Sequence, residues 1–442
     1  MADFFRNLRN KEGFKSVISS ILCILAGILV GFIVMVILAL TNENLRVGDA
    51  FYGLSILLGG PFSSGTAMYI RTNLGDMIFY SGPLIMTGVS VAIAYKTGLF
   101  NIGAAGQFLM GTMGSLLVAL NINTTGKPGL GVLVWFLALL VGCLFGMLWG
   151  AIPGLFKAFF NVNEVIVCIM TNWIAANIVS WVFGTMPSLI NTGAGKSGYL
   201  ITTAATGNGT PKVGLDKLFA GSYIDLGILL AIALAIIMSV ILTKTVFGYE
   251  LRACGANKYG ARYAGMNEKK NIVLSMAIAG GLAAIGGAIY YLNPGIEFKF
   301  DSAYGKLPDY GFNGIPAALL GSSNPVAVIF VGLFIRFLNI GGDNLTSAGF
   351  NKYIADIIIA LIIYFAGFSK LFRDLLFKRR KAAAAPAEPE ALPEKKAEPI
   401  PETGTGDDAV IPEETPPVIP EEAEMVIPED FSENTGKEDG EQ

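Results

Sequence analysis

The sequence predicts an all-α polytopic membrane protein with about ten transmembrane segments, two of them broken, followed by a disordered acidic tail. Three observations carry this. Apolar residues make up 53% of the 442 and the mean hydropathy is +0.58, and several uncharged runs reach the roughly 20 residues a helix needs to cross a bilayer core. Charge is segregated: residues 382–442 hold 18 acidic and 3 basic residues, whereas the first 381 hold 16 and 28. Glycines and side-chain amides interrupt two of the apolar runs, where a lipid-facing helix would carry leucine.

Residues 1–15 form a cytoplasmic N-terminus, because Arg6, Arg9, Lys11 and Lys15 precede the first apolar run and positive charge stays inside. That run, Ser16–Leu40, has no small-residue cleavage site before charges resume, so it reads as a retained span. Between Leu45 and Gly75 the pattern is too broken to cross, and the stretch reads as external and interfacial. Further runs follow at Met77–Tyr95, Gly98–Ile122, Gly129–Phe156 and Val165–Ile190. A polar loop leads to Ser222, then Leu226–Thr243 and Ile272–Ile296 bracket a basic loop, 244–271, which the same charge rule places in the cytoplasm.

Parity decides the C-terminal part. Seven spans from an inside N-terminus end outside, yet the cluster Lys370, Arg373, Lys378, Arg379, Arg380 and Lys381 has to return inside. Splitting the next apolar stretch at Gly321–Pro325 gives a half-helix, Gly311–Leu320, then Val326–Ile340 and Ile354–Phe368, and the count becomes ten. The membrane domain is thus 16–381 and the tail 382–442. The tail holds 10 of the 20 prolines and repeats VIPE at Val410, Val418 and Val426. It reads as a disordered cytoplasmic tether or as a multivalent linear motif.

The stretch Gly98–Gly111, GLFNIGAAGQFLMG, carries the sharpest signal. Each backbone group freed in hydrocarbon costs several kcal/mol unless protein or a water-filled cavity satisfies it. A discontinuous helix lining a pathway accounts for Asn101 and Gln107, whereas close helix contact through small residues accounts for Gly103 and Gly106. The half-helix repeats the theme with GFNGI at Gly311–Ile315, and paired broken segments in two halves point to a transporter's solute site.

Several chemistries are excluded. The chain has no histidine, which removes His metal ligation and Ser-His triads. Cys23, Cys143, Cys168 and Cys254 have no paired spacing, so no disulfide framework is expected. The run GAGKS at Gly193–Ser197 imitates a phosphate-binding loop, but Ile190 stands where that motif needs glycine. No cofactor, metal or nucleic acid is called for, and the chain is not an enzyme. Proton or sodium coupling would need carboxylates deep in the membrane. Glu164 and Asp356 lie near span edges, and Asp356 with Arg336 reads as a structural ion pair, or else as a gate.

The runs GLFNIGAAGQFLMG, NEVIVCIMTNWIAANI (Asn163–Ile178), GYELRACGANKYGARYAGM (Gly248–Met266) and GFNGIPAALLGSSNP (Gly311–Pro325) together resemble the permease subunit of nucleoside-type ABC importers, related to simple-sugar and branched-chain amino acid permeases. The resemblance covers about Leu74 to Phe372. It implies two permeases forming a pore, a cytoplasmic ABC ATPase pair driving it and an extracytoplasmic lipoprotein delivering solute. Ala105, Pro316 and Gly260 depart from the residues usual there, which are Glu, Ala and Ala.

The expected solute site lies near the midplane, lined by Phe100, Asn101, Gln107, Asn172 and Asn313, with amides to hydrogen-bond a small neutral solute and an aromatic to stack on it. Without charge, such a site argues against ionic substrates. The expected ATPase-docking element is the basic loop, with Glu250 and Arg252 ahead of a short helix Lys258–Ala264, capped by Asn257 and ended by Gly265, and presenting Arg262 and Tyr263. An ordinary positive-inside loop would explain its charges alone. A second permease, as a heterodimer, completes the expected complex in the plasma membrane, surrounded by lipid. A simple-sugar permease or a stand-alone secondary transporter are the alternative readings.

Overall fold

The computed structural model describes residues 12–189, 206–299, 306–368 and 371. The acidic tail, the GAGKS run and the two terminal basic clusters lie outside the described residues, apart from Lys15, which falls in the first helix.

Thirteen helices of more than one turn carry the described chain. They are α1 Glu12–Thr41, α2 Val47–Gly59, α3 Ala67–Lys96, α4 Ala104–Asn121, α5 Pro128–Phe160, α6 Glu164–Gly184 and α7 Gly227–Lys244. Next come α8 Val246–Ala256, α9 Lys258–Tyr263, α10 Glu268–Tyr291, α11 Asp309–Leu320, α12 Pro325–Asp343 and α13 Tyr353–Gly367. Among the described residues, eight helical stretches are long and apolar enough to cross a membrane, the last running from α12 through the turn after it to Ala348. Each of the ten segments read from the sequence contains a helix among the described residues, but α11 and α13, with 12 and 15 residues, are shorter than a full crossing requires.

The centre of the bundle is α10, laid against α3, α4 and α5. Glycine makes this possible. Gly142, Gly146, Gly150 and Gly154 recur every four residues on one face of α5, and a Cβ on Gly146 would stand 2.1 Å from the Ala284 Cβ. A Cβ on Gly280 would stand 2.2 Å from the Gly146 carbonyl oxygen. Without side chains the two backbones approach closely, which is how helices associate where lipid removes the hydrophobic drive. The outer helices α1, α5, α6 and α7 leave apolar side chains exposed, among them Leu148, Trp181 and Ile237.

Two differences from the sequence reading concern residues 45–75. The stretch is helical, forming α2 and a 3-10 turn at Gly60–Ser64, and α3 starts at Ala67, ten residues before the predicted Met77. The polar residues that break the apolar pattern are satisfied by the loop before α7: the Tyr223 N–H donates to Asp76 at 2.9 Å, and Thr72 donates to the Ala220 carbonyl at 2.9 Å. A hydropathy run stops at such residues, whereas the helix continues through them because the loop covers them.

The second half holds the predicted half-helix. α11 packs on α3 and α4, with Gly314 against Thr87 and Gly311 against Ala105. The chain then reverses at Gly321–Asn324, where Ser322 and Ser323 both take left-handed backbone conformations at φ 52°. The Asn324 side chain accepts from the Val326 N–H at 3.0 Å, and α12 returns along α3, with Gly332 against Ile85.

Candidate functional site

The break between α3 and α4 is closed by amides. Gly98 turns the chain at φ +76°, a conformation glycine adopts at no steric cost. Asn101 and Gln107, 0% and 1% exposed, exchange two hydrogen bonds: Asn101 Nδ2 donates to Gln107 Oε1 at 2.8 Å, and Gln107 Nε2 donates to Asn101 Oδ1 at 3.1 Å. Asn101 also donates to Ser90 Oγ of α3 at 3.1 Å. From α6, Asn172 Oδ1 accepts the Gly106 N–H at 2.7 Å and its Nδ2 donates to the Ile102 carbonyl at 3.0 Å. Gly106 has to be glycine here, since a Cβ would stand 2.8 Å from the Asn172 Cα. These contacts satisfy backbone groups that the break would otherwise leave unpaired in the bundle.

The structure therefore brings three of the five expected pathway residues together, with their amides turned on one another and on the backbone. Phe100 is half-buried against the main core. Asn313 stands apart and exposed, in a pocket of about 370 Å³ beside α11 that also takes in Lys306, Asp309, Pro316, Asn339 and Asp356. On the other side of α11, a second pocket of about 300 Å³ holds Ile102, Asn172, Trp173 and Phe312, and shares Lys306 and Asp309. Lys306 and Asp309 form an ion pair at 2.9 Å between the two pockets, so the pockets that reach Asn172 and Asn313 carry charge beside their amides. Asn339 was missed. Its Oδ1 is buried without a hydrogen-bond partner, and an amide inside the apolar run Val326–Ile340 is the same signal that marked Asn101.

The expected Arg336–Asp356 ion pair is not formed within 4.0 Å. The Arg336 guanidinium instead lies over the Tyr80 ring, 4.8 Å from its centroid, and its Nε has no hydrogen-bond partner. Tyr80 belongs to an aromatic cluster with Phe79, Tyr223, Tyr290 and Tyr310 that the sequence reading passed over, since its members come from four separate segments.

The basic loop folds into α8 and α9. Asn257 caps α9, its side chain accepting the Tyr259 and Gly260 N–H groups at 3.0 Å each, and Gly265 ends the turn at φ +80°. Lys258 lies over the Tyr259 ring, and Tyr263 is 96% exposed. Arg262 reaches Glu268 at 3.8 Å. Glu250 accepts from Asn271 Nδ2 at 3.0 Å, which ties α8 to α10, while Arg252 donates back to the Gly248 carbonyl of its own helix at 3.3 Å. A Cβ on Gly255 would stand 2.3 Å from the Lys96 carbonyl oxygen, so α8 rests directly on the end of α3 where the break begins.

A multi-pass helical bundle with a sealed break, a half-helix between two pockets and a capped helix in a basic loop has the architecture of a membrane transport protein. The chain belongs to the family described as branched-chain amino acid transport system / permease component, which matches residues 73–367; it is a permease and not an enzyme. It is 35% identical over 333 residues to a guanosine ABC transporter permease protein of Bacillus subtilis, covering 75% of this chain and 90% of that one. A nucleoside ABC transporter permease protein of Lactococcus lactis is 32% identical, covering 73% and 86%, and a glucose ABC transporter permease protein of Haloferax volcanii is 32% identical, covering 72% and 85%. No solved structure matches the chain.

Proposed function

We propose that this chain is the membrane-spanning subunit of an ABC importer that carries nucleosides across the plasma membrane. It works with separate cytoplasmic ATPase subunits, a second homologous permease and an extracytoplasmic binding lipoprotein. The observation that carries the reading is the half-helix α11, with Asn313 exposed on a pocket of about 370 Å³, in a chain similar to guanosine and nucleoside permeases over most of its length. Amides and carboxylates on that pocket offer acceptors and donors to the hydroxyls of a ribose-like solute. A second permease set against the exposed face of α11 would enclose the pockets. The capped α9, aromatic and basic, has the form of an element that a partner groove grips. A simple-sugar substrate is the second reading, favoured by the similarity to a glucose permease.

The test is uptake of labelled guanosine and glucose into cells expressing the chain with its neighbouring transporter genes, in the presence and absence of the ATPase gene. Guanosine uptake that requires the ATPase supports the reading. Uptake of glucose alone moves the assignment to sugars, and uptake without any ATPase assigns a secondary transporter.

A further inference from the structure

A groove of about 400 Å³ opens where the C-terminal end of α5 meets the N-terminal end of α10. Its floor is apolar, formed by Leu155, Phe159, Val273 and Leu274, and its rim carries Lys269 and Lys270. The floor is open to the surroundings, since Leu155 and Phe159 are 42% and 60% exposed. Lys269 Nζ lies 5.2 Å from the centroid of the Phe159 ring, so the charge and the apolar wall belong to one feature.

The charge on the rim is unbalanced. The nearby carboxylates are already engaged, Glu268 with Arg262 at 3.8 Å and Glu164 with Lys157 at 2.9 Å. Among the described residues, neither Lys269 nor Lys270 has a carboxylate within 4.0 Å. Asn267, which also lines the groove, caps α10 through the Lys270 N–H at 3.0 Å. The positive end of a 24-residue helix therefore adds to the two ammonium groups. Basic residues above an apolar groove, at the end of the membrane-crossing helices that bears the basic loop, are what an anionic lipid headgroup and its acyl chain require.

We infer that this groove is a binding site for an anionic phospholipid, with the phosphate held by Lys269 and Lys270 and an acyl chain laid along Leu155, Phe159 and Val273. The shape selects a lipid over a free anion, because inorganic phosphate would leave the exposed Phe159 and Leu155 uncovered. The α10 end that holds the phosphate is tied through Glu268 to Arg262 of α9, so the lipid sits one ion pair away from the loop helix.

A ligand that binds only the folded state raises its stability, which makes thermal melting the readout. The detergent-purified full chain is melted with mixed micelles containing phosphatidylglycerol, with phosphatidylcholine alone, and with inorganic phosphate. Phosphatidylglycerol should raise the melting temperature, and the other two should leave it nearly unchanged. Lys269→Ala combined with Lys270→Ala should lose most of the rise, whereas Lys212→Ala combined with Lys217→Ala, in the loop before α7, should keep it. Equal shifts from the two lipids, an equal shift from inorganic phosphate, or a phosphatidylglycerol shift that survives Lys269→Ala with Lys270→Ala would overturn the site. So would the absence of any lipid shift where added ATPase subunits stabilise the chain through the same two lysines, which would assign the groove to protein docking.

Discussion

Asn101 and Gln107 hold each other by two amide hydrogen bonds, 2.8 and 3.1 Å long, across the break before α4. Both are buried, 0% and 1% exposed, so their first effect is on stability. Asn101→Leu strands the Gln107 amide in the bundle, at a cost of about 1–3 kcal/mol for an unsatisfied buried polar group. Its melting temperature in detergent should fall clearly below that of the wild type. Replacing both, Asn101→Leu with Gln107→Leu, should recover part of the loss, since no orphaned partner remains. An unchanged melting temperature in the single variant would show that the pair does not secure the break.

Arg336 predicts a different partner from the one its charge suggests. With its guanidinium over Tyr80 and no ion pair to Asp356, a double-mutant cycle between Arg336→Met and Tyr80→Leu should give a coupling of about 0.5–2 kcal/mol. The cycle with Asp356→Asn should give less. Stronger coupling to Asp356 would restore the ion pair as the working contact.

Asp225 gives a pH dependence. It lies just before α7, where Asn293 donates to its Oδ2 at 2.6 Å and the Gly227 N–H donates to its Oδ1 at 2.8 Å. Burial pushes its pKa up to about 7, from an ordinary 3.8, despite those donors and Lys212. The folded protein thus holds this proton more tightly than the unfolded chain does. The contribution to stability should grow as pH falls from about 7 and level off near 3.8. Asp225→Asn should flatten the melting temperature between neutral pH and mild acid; a slope identical to the wild type would remove Asp225 as its source.

Much of this was legible because bilayer physics writes itself into sequence. The long apolar runs, the broken stretch at Gly98–Gly111, the half-helix ending at Gly321 and the Asn257 cap all rest on local rules, and the structure places a helix, break or cap at each. The misses are non-local. Nothing in the order of residues shows that Asn101 turns toward Gln107, or that Arg336 meets Tyr80, some 250 residues away along the chain. The start of α3 was missed because Thr72 and Asp76 look like breakers until the loop at 219–223 covers them. The glycines every four residues in α5 were visible, but their meaning needed the matching Gly280 and Ala284.

That seam makes its own prediction. Gly280→Val places a branched side chain where even a Cβ would stand 2.2 Å from the Gly146 oxygen, and the contact is backbone, which cannot rotate away. The bundle should lose folded yield and give a broad, low melting transition. Gly184→Ala, with nothing within 4 Å of its would-be Cβ, should behave as wild type. Normal yield and melting for Gly280→Val would show that α5 and α10 do not pack as described.

The loop helix α9 is the last test, and it separates shape from charge. Ala261 is 5% exposed, and its N–H donates to the Asn257 carbonyl at 3.0 Å. Ala261→Pro removes that donor and inserts a ring into a six-residue helix, at a cost of about 3 kcal/mol or more. Arg262→Glu keeps the helix but reverses its charge and sets two carboxylates together at Glu268. If α9 docks an ATPase subunit, both variants should insert in the membrane normally, since α9 lies in the loop between α7 and α10, yet both should lose co-purifying ATPase and solute uptake. Gly260→Ala runs the other way: a Cβ there meets the Asn257 side chain, nearest at Cγ 3.4 Å away, an ordinary contact, and alanine favours the helix by about 1 kcal/mol. It should retain or strengthen the complex. Should Ala261→Pro transport and co-purify as the wild type does, α9 is a solvated turn, and the drive for transport enters the bundle elsewhere.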